Sequence, residues 1–244
     1  MGENSQTTEF GEKTLKSRFV LVLELLVVVL LLQLADHLIA GLLAKFGIIS
    51  AATPLTILIL LITSISFVLV LAVTYLSQRL RGKQFKAYGL GFDRFPNLKT
   101  LGFLFLGSLV LQALDVFVIE KIATNVFHTS LNTPEIKSTQ ELLAFILAGF
   151  IGGGLREELY YRGYLINKIA VCFPEKYGIL IGTIFQIMLF ASNHTYQGVV
   201  GIFETAIAAL VFSLIYLRTR SLWSAVIFHG LFDLSGILAI YFHL

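Results

Sequence analysis

Apolar residues in this chain come in long unbroken runs rather than at alternating positions. With a window of about nineteen residues, seven runs stand out, at about 19–44, 53–77, 98–120, 141–167, 177–194, 197–217 and 222–243. A helix needs about 20 residues to cross a hydrocarbon core of roughly 30 Å. Backbone in lipid must also satisfy its own hydrogen bonds, so each run predicts a helix. The pattern as a whole predicts an all-α, polytopic transmembrane helix bundle of about seven spans. Polar residues 1–17 predict a flexible cytoplasmic N-terminus, and 18–244 a single transmembrane domain with no internal repeat. Lys13, Lys16 and Arg18 precede the first run as they would in a signal peptide. That run exceeds a usual h-region and no small-residue cleavage site closes it, so it is expected to stay as the first span.

Composition strengthens this picture. Hydrophobic residues make up 57% of the chain and charged residues 14%, against roughly 45–50% and 25% in soluble domains. With the N-terminus inside, thirteen basic residues fall on the inner side and only Lys45, Lys121 and Lys137 outside. This satisfies the positive-inside rule and predicts an N-in, C-out topology. The longest inner connection, 78–100, is basic and contains the turn-like Gly89-Leu-Gly91; it reads as a solvated loop. A net charge of +3 with scattered basic residues argues against nucleic acid as a partner. The lone Cys172 excludes an internal disulfide and a cysteine-based zinc site. Simple loops and no sorting signal predict a multi-pass protein of the bacterial plasma membrane.

The chemistry lies in the polar groups within the runs. A charge at a helix centre costs about 2.5–3.5 kcal/mol on translocon scales, so such groups usually face a protein interior and mark function. The fourth run carries Arg156, Glu157, Glu158 and Arg162 directly after the uncharged stretch 145–154. Glu158 and Arg162, four apart, share a helix face, and Glu157 lies about 100° round from Glu158. One carboxylate can therefore pair with Arg162 while the other points elsewhere. Such a pair by itself serves equally as a clamp between helices. His194 ends the fifth run, however, and His229 and Asp233 sit four apart in the seventh. Gly152-Gly153-Gly154 permits close helix packing and gives room for water or an extended substrate. Glu24, Asp36, His37, Asp115 and Glu204 read as interfacial or interhelical, with Glu204 the first to test.

A carboxylate, two imidazoles and an Asp from three helices suit hydrolysis by activated water, in which a base takes the proton and another group stabilises the oxyanion. On this reading Glu157 is the base and Glu158, held by Arg162, orients it; the residues alone permit the reverse. The same groups could hold a divalent metal such as zinc, so the cofactor, metal or none, stays open. There is no His-Glu-x-x-His helix and no Gly-x-Ser-x-Gly elbow. Asp115 and Asp233 make a poor aspartyl pair.

Three ordered segments, Glu157-Glu158-x-x-x-Arg162, Phe190-x-x-x-His194 and His229-x-x-x-Asp233, resemble the motifs of the CPBP family, also called the Abi or CAAX-protease-related family. The resemblance covers about 142–238. It implies an intramembrane endopeptidase acting on a membrane-associated peptide or protein within the lipid bilayer. Carried over residue by residue, it implies Glu157 as base, Glu158 and Arg162 as its support, and His194 and His229 as water or oxyanion contacts. Asp233 stands where the family has Asn or Asp; it must be protonated, orient His229 or ligate a metal. Tyr161 stands where the family often has Phe. The resemblance further points to peptide processing, bacteriocin immunity or envelope regulation. Two other classes compete: a non-proteolytic scaffold that binds a partner membrane protein, and a proton-coupled transporter, which would favour an internal repeat.

Overall fold

The structure is a computed structural model that describes residues 19–79 and 92–243. The expected N-terminal segment 1–17 and most of the basic loop, with its Gly89-Leu-Gly91, lie outside the described residues. Within them every apolar run is helical, and no strand occurs. The helices are α1 (Phe19–Gln33), α2 (Ala35–Lys45) and α3 (Leu55–Arg79), α4 (Leu98–Phe127), and α5 (139–170). They continue as α6 (Glu175–Ser192), α7 (Gly198–Thr219) and α8 (Leu222–Phe242).

Local chemistry sets several of these ends. Asn97 caps α4 by accepting the Thr100 amide at 2.9 Å, and Ser221 caps α8 by accepting the Ser224 amide at 3.2 Å. At the start of α5 the Ser138 hydroxyl accepts the Glu141 amide at 3.2 Å while Glu141 reaches back to the Lys137 amide at 2.7 Å. This is close to a capping box, in which two otherwise orphaned amides are satisfied reciprocally. Arg220, in the left-handed region at φ 52°, stops α7.

Four helices among the described residues are long and apolar enough to cross a membrane: Leu55–Ser77, Leu98–Phe127, Thr195–Thr219 and Leu222–Phe242. The first run is broken by a 51° bend between α1 and α2, and counts as a fifth span if the pair is taken as one. Length and composition therefore do not reach the expected seven. The two shortfalls have a physical reason. α5 carries four charges in seven positions, and α6 has 18 residues that open on Glu175 and Lys176.

The bundle is built around α5, which packs against α3, α6 and α8. From Gly149 to Ile166 it is wound as a π-helix, and everything from Glu158 to Ile166 is buried. The surrounding helices turn large apolar side chains such as Leu26, Phe103, Leu106, Met188 and Leu214 outward, as a lipid-facing surface does. The most charged helix is thus the most enclosed. Lys168, counted above among the inner-side cations, is itself buried: its Nζ donates to Glu24 at 2.6 Å and to Ser77 at 3.1 Å. That contact ties α1 and α3 to the end of α5.

Close backbone approach between α5 and α6 depends on glycine. A Cβ at Gly182 would lie 2.7 Å from the Ile166 carbonyl oxygen, and one at Gly178 would overlap the Ala170 carbonyl. Gly102, by contrast, has nothing within 4 Å. Gly182→Val should therefore cost about 1–3 kcal/mol by overpacking, while Gly102→Ala should leave stability unchanged or slightly raised. Thermal unfolding of the two variants in detergent checks the difference.

Candidate functional site

The centre of the site is one carboxylate oxygen. Glu158 Oε1 accepts from Arg162 Nη1 at 2.9 Å, one helical turn on, and from His229 Nδ1 of α8 at 2.7 Å. In a helix bonded i→i+5 there are more than four residues per turn, so positions four apart come nearer to superposition than in an α-helix. Glu158 and Arg162 are both fully enclosed, at 0% exposure. The guanidinium donates through Nη2 to the Ala209 carbonyl of α7 at 3.2 Å. It also lies between the Phe190 and Phe212 rings, 4.7 and 5.3 Å from their centroids. Phe212 stacks on His229 as well, at 4.2 Å. One ion pair therefore joins α5, α7 and α8 through an aromatic cage. Glu158 Oε2 and Arg162 Nε are buried without a hydrogen-bond partner among the described residues.

His229 is the hinge of this set. Since a carboxylate can only accept, its Nδ1 carries a proton toward Glu158. Its other nitrogen, Nε2, faces Asp233 Oδ1 at 3.5 Å, one turn along α8. Gly153 makes room for both residues: a Cβ there would overlap the Asp233 carboxylate and sit 3.2 Å from His229 Nε2. The glycine run expected to permit close packing does so at this point, where α8 meets α5.

Glu157 has a different setting. Its carboxylate accepts from Arg156 Nη2 at 3.1 Å, and it lines a cavity of about 340 Å³ together with His194, Arg156, Tyr161 and Asn193. His194 lies just past the end of α6, beside the tight turn Thr195–Gln197. Its Nδ1 meets the Phe190 carbonyl at 2.9 Å. A carbonyl accepts only, so Nδ1 is protonated and the neutral ring has its lone pair on Nε2. The neighbouring Asn193 amide donates to the Tyr161 hydroxyl, which fastens the segment to α5. The tight turn thus brings an imidazole at the end of its helix to the glutamate. Glu157 lies within electrostatic reach of both His194 and His229.

The six sequence-derived residues therefore fall into two adjoining groups. Glu158, Arg162 and His229 form a connected buried set, with the partly exposed Asp233 at its edge. Glu157 and His194 line the cavity. Among the described residues no three His, Cys, Asp or Glu side chains converge as a ligand cluster, so the groups as placed do not fit a divalent ion. Glu204, singled out from the sequence, is buried on α7 with Asp115 and Glu120 as its charged neighbours. It belongs to neither group. Asp36 and His37, read from the sequence only as interfacial or interhelical, also line the cavity, as do Tyr160 and Tyr196, which were not singled out. The available signal was that Asp36 and His37 are charged or polar groups inside an apolar run.

Compared with known proteins, residues 139–235 match the family model described as type II CAAX prenyl endopeptidase, Rce1-like, over less than half of the chain. No curated protein and no solved structure matches.

Breaking a buried pair strands the remaining charge and costs about 3–5 kcal/mol, whereas removing both members is far milder. Arg162→Leu should thus destabilise strongly, and the double variant Glu158→Leu, Arg162→Leu much less. Arg162→Lys should restore little, because a point charge cannot make the forked contacts or stack between two rings. Thermal unfolding of the three proteins in detergent provides the comparison.

Proposed function

We propose that the chain, whose residues 139–235 match the Rce1-like type II CAAX prenyl endopeptidase model, is an intramembrane endopeptidase in which Glu157 activates the attacking water. The observation that carries this reading is the unequal setting of two neighbouring glutamates. Glu158 is sealed at 0% exposure by Arg162 and His229, and Glu157 opens on a cavity of about 340 Å³ beside His194. A sealed, doubly bonded carboxylate is a poor base for water; one with room beside it is a suitable one.

The proposed reaction follows from these positions. Water gives a proton to Glu157 as its oxygen adds to the scissile carbonyl carbon. The same proton then passes to the amide nitrogen as the C–N bond breaks, leaving a new carboxyl and a new amine. His194, with its lone pair on Nε2, accepts a hydrogen bond from the water and aims it. It serves the oxyanion only when protonated on both nitrogens. Glu158, Arg162, His229 and Asp233 act behind this pair: they hold α5 and α8 in register, so that Glu157 keeps its place. Asp233 does this by facing His229 Nε2.

The substrate is proposed to be a membrane-associated peptide or protein, prenylated or not, reaching the cavity from the bilayer. The cellular setting is read as the bacterial plasma membrane, with α5 and α6 completing seven spans and the N-terminus inside. Peptide processing, bacteriocin immunity and envelope regulation are the roles that fit such an activity.

Glu157→Gln and His194→Ala are expected to lower cleavage of a membrane-anchored peptide at least 10²-fold, the usual worth of a positioned acid or base, with folding intact. Both would be assayed at matched expression and matched unfolding temperature. Normal processing by both variants would sink the proteolytic reading. Loss of cleavage with retained binding of a partner membrane protein would leave the scaffold role secondary.

A further inference from the structure

One cavity wall comes from outside the family-matched region. The bend between α1 and α2 falls at Leu34, whose backbone (φ −92°, ψ −4°) opens from the regular helical angles while its amide still donates to the Leu30 carbonyl at 3.2 Å. It delivers Asp36 to Arg156, 120 residues away in sequence. Arg156 Nη1 donates to Asp36 Oδ1 and Oδ2, each at 3.0 Å. Its Nη2 donates to Glu157 Oε1 at 3.1 Å. The Ser66 hydroxyl of α3 donates to Asp36 as well. One guanidinium is therefore divided between two carboxylates, and the one from α2 takes the larger share.

That division matters for chemistry. An arginine fork placed squarely on a carboxylate makes two parallel charge-assisted bonds, a stronger pairing than a single one. If both nitrogens of Arg156 closed on Glu157, each oxygen would carry a charge-assisted bond and neither would keep its full basicity toward water. Among the described residues, Glu157 makes only the one contact through Oε1. Asp36 is half exposed, and Arg156 has 19% of its side chain exposed, so the arginine is the more enclosed partner and Asp36 reaches in to it. This is more than a weld between helices, because the residue it engages is the immediate neighbour of Glu157.

We infer that Asp36 is a positioning residue of this site: by occupying Nη1 of Arg156 it limits the guanidinium to a single bond with Glu157 and keeps the second carboxylate oxygen free to take a proton from water. The inference rests on the proposed role of Glu157. It makes the bent first helix a working part of the site, contributed by the chain outside residues 139–235.

The test uses the full-length protein in detergent and two readouts. The first is the rate at which dicyclohexylcarbodiimide, an apolar carboxyl reagent, modifies Glu157, followed by peptide mapping. Asp36→Asn should slow modification about tenfold, the worth of one further charge-assisted hydrogen bond. Asp36→Glu should stay near wild type. In an Arg156→Gln background, Asp36→Asn should have no further effect, since the arginine through which it acts is gone. Modification of Asp36→Asn at the wild-type rate, or an equal slowing with and without Arg156, overturns the inference and leaves Asp36 a mere anchor for α2. The second readout is cleavage of a farnesylated, quenched fluorescent CAAX peptide. Asp36→Asn should lower kcat about tenfold with KM within about twofold. If modification follows the expected pattern but the Asp36→Asn variant cleaves as the wild type does, Asp36 still positions Glu157 and it is the role of Glu157 as base that falls; if the wild type leaves this peptide intact, the farnesylated CAAX substrate falls and the modification pattern alone decides for or against Asp36.

Discussion

The fold depends on the shared oxygen of Glu158. A guanidinium from the same helix and an imidazole from α8 both donate to it, with no side-chain exposure on either member of the ion pair. A charge of either sign is costly in hydrocarbon, so these groups need a protein interior with the right partners within it. This requirement puts α5 in the middle, with apolar helices around it turning their large side chains outward. Replacing a buried pair with apolar residues is often neutral or even stabilising. Its presence here, with two polar atoms left unpartnered, is better understood as the cost of an arrangement kept for its geometry.

Two features make that geometry possible. The widened winding from Gly149 to Ile166 brings residues four apart into line, so Arg162 closes on Glu158. The missing side chain at Gly153 lets His229 and Asp233 approach the same helix. With Glu158 fixed in this way, the next residue back along the helix faces another direction and meets the cavity. The unlike settings of Glu157 and Glu158 thus follow from a single constraint. The order of the three motifs acquires its meaning here: α5 supplies both carboxylates, the turn after α6 supplies His194, and α8 supplies the residue that seals the inner glutamate.

Much of this was legible in the chain. Long apolar runs demand helices because backbone in lipid has no alternative partner, and all seven runs are helical where described. Glu158 with Arg162, and His229 with Asp233, were readable as neighbours because both pairs lie one turn apart, and helical spacing is a local property. Of the two glutamates, Arg162 pairs with Glu158, the neighbour that helical spacing offers it. The span count was less legible: a hydropathy window registers an apolar run without registering that α5, being enclosed, has no need to be apolar outward. The burial of Lys168 was not legible for a related reason. A lysine after an apolar run looks like a solvated loop cation until a glutamate 144 positions earlier is found against it.

By itself, then, the sequence determined the helices, their apolar outer faces and the contacts that helical periodicity enforces within one element. Only the tertiary structure decided which glutamate is sealed and which faces space, that His194 reaches it through a tight turn, and that Asp36 shares the arginine beside it. Such contacts join residues far apart in the chain. They depend on a bend at Leu34, on the widened turns of α5 and on the space left by Gly153, and none of these is encoded in the spacing of the residues that finally meet.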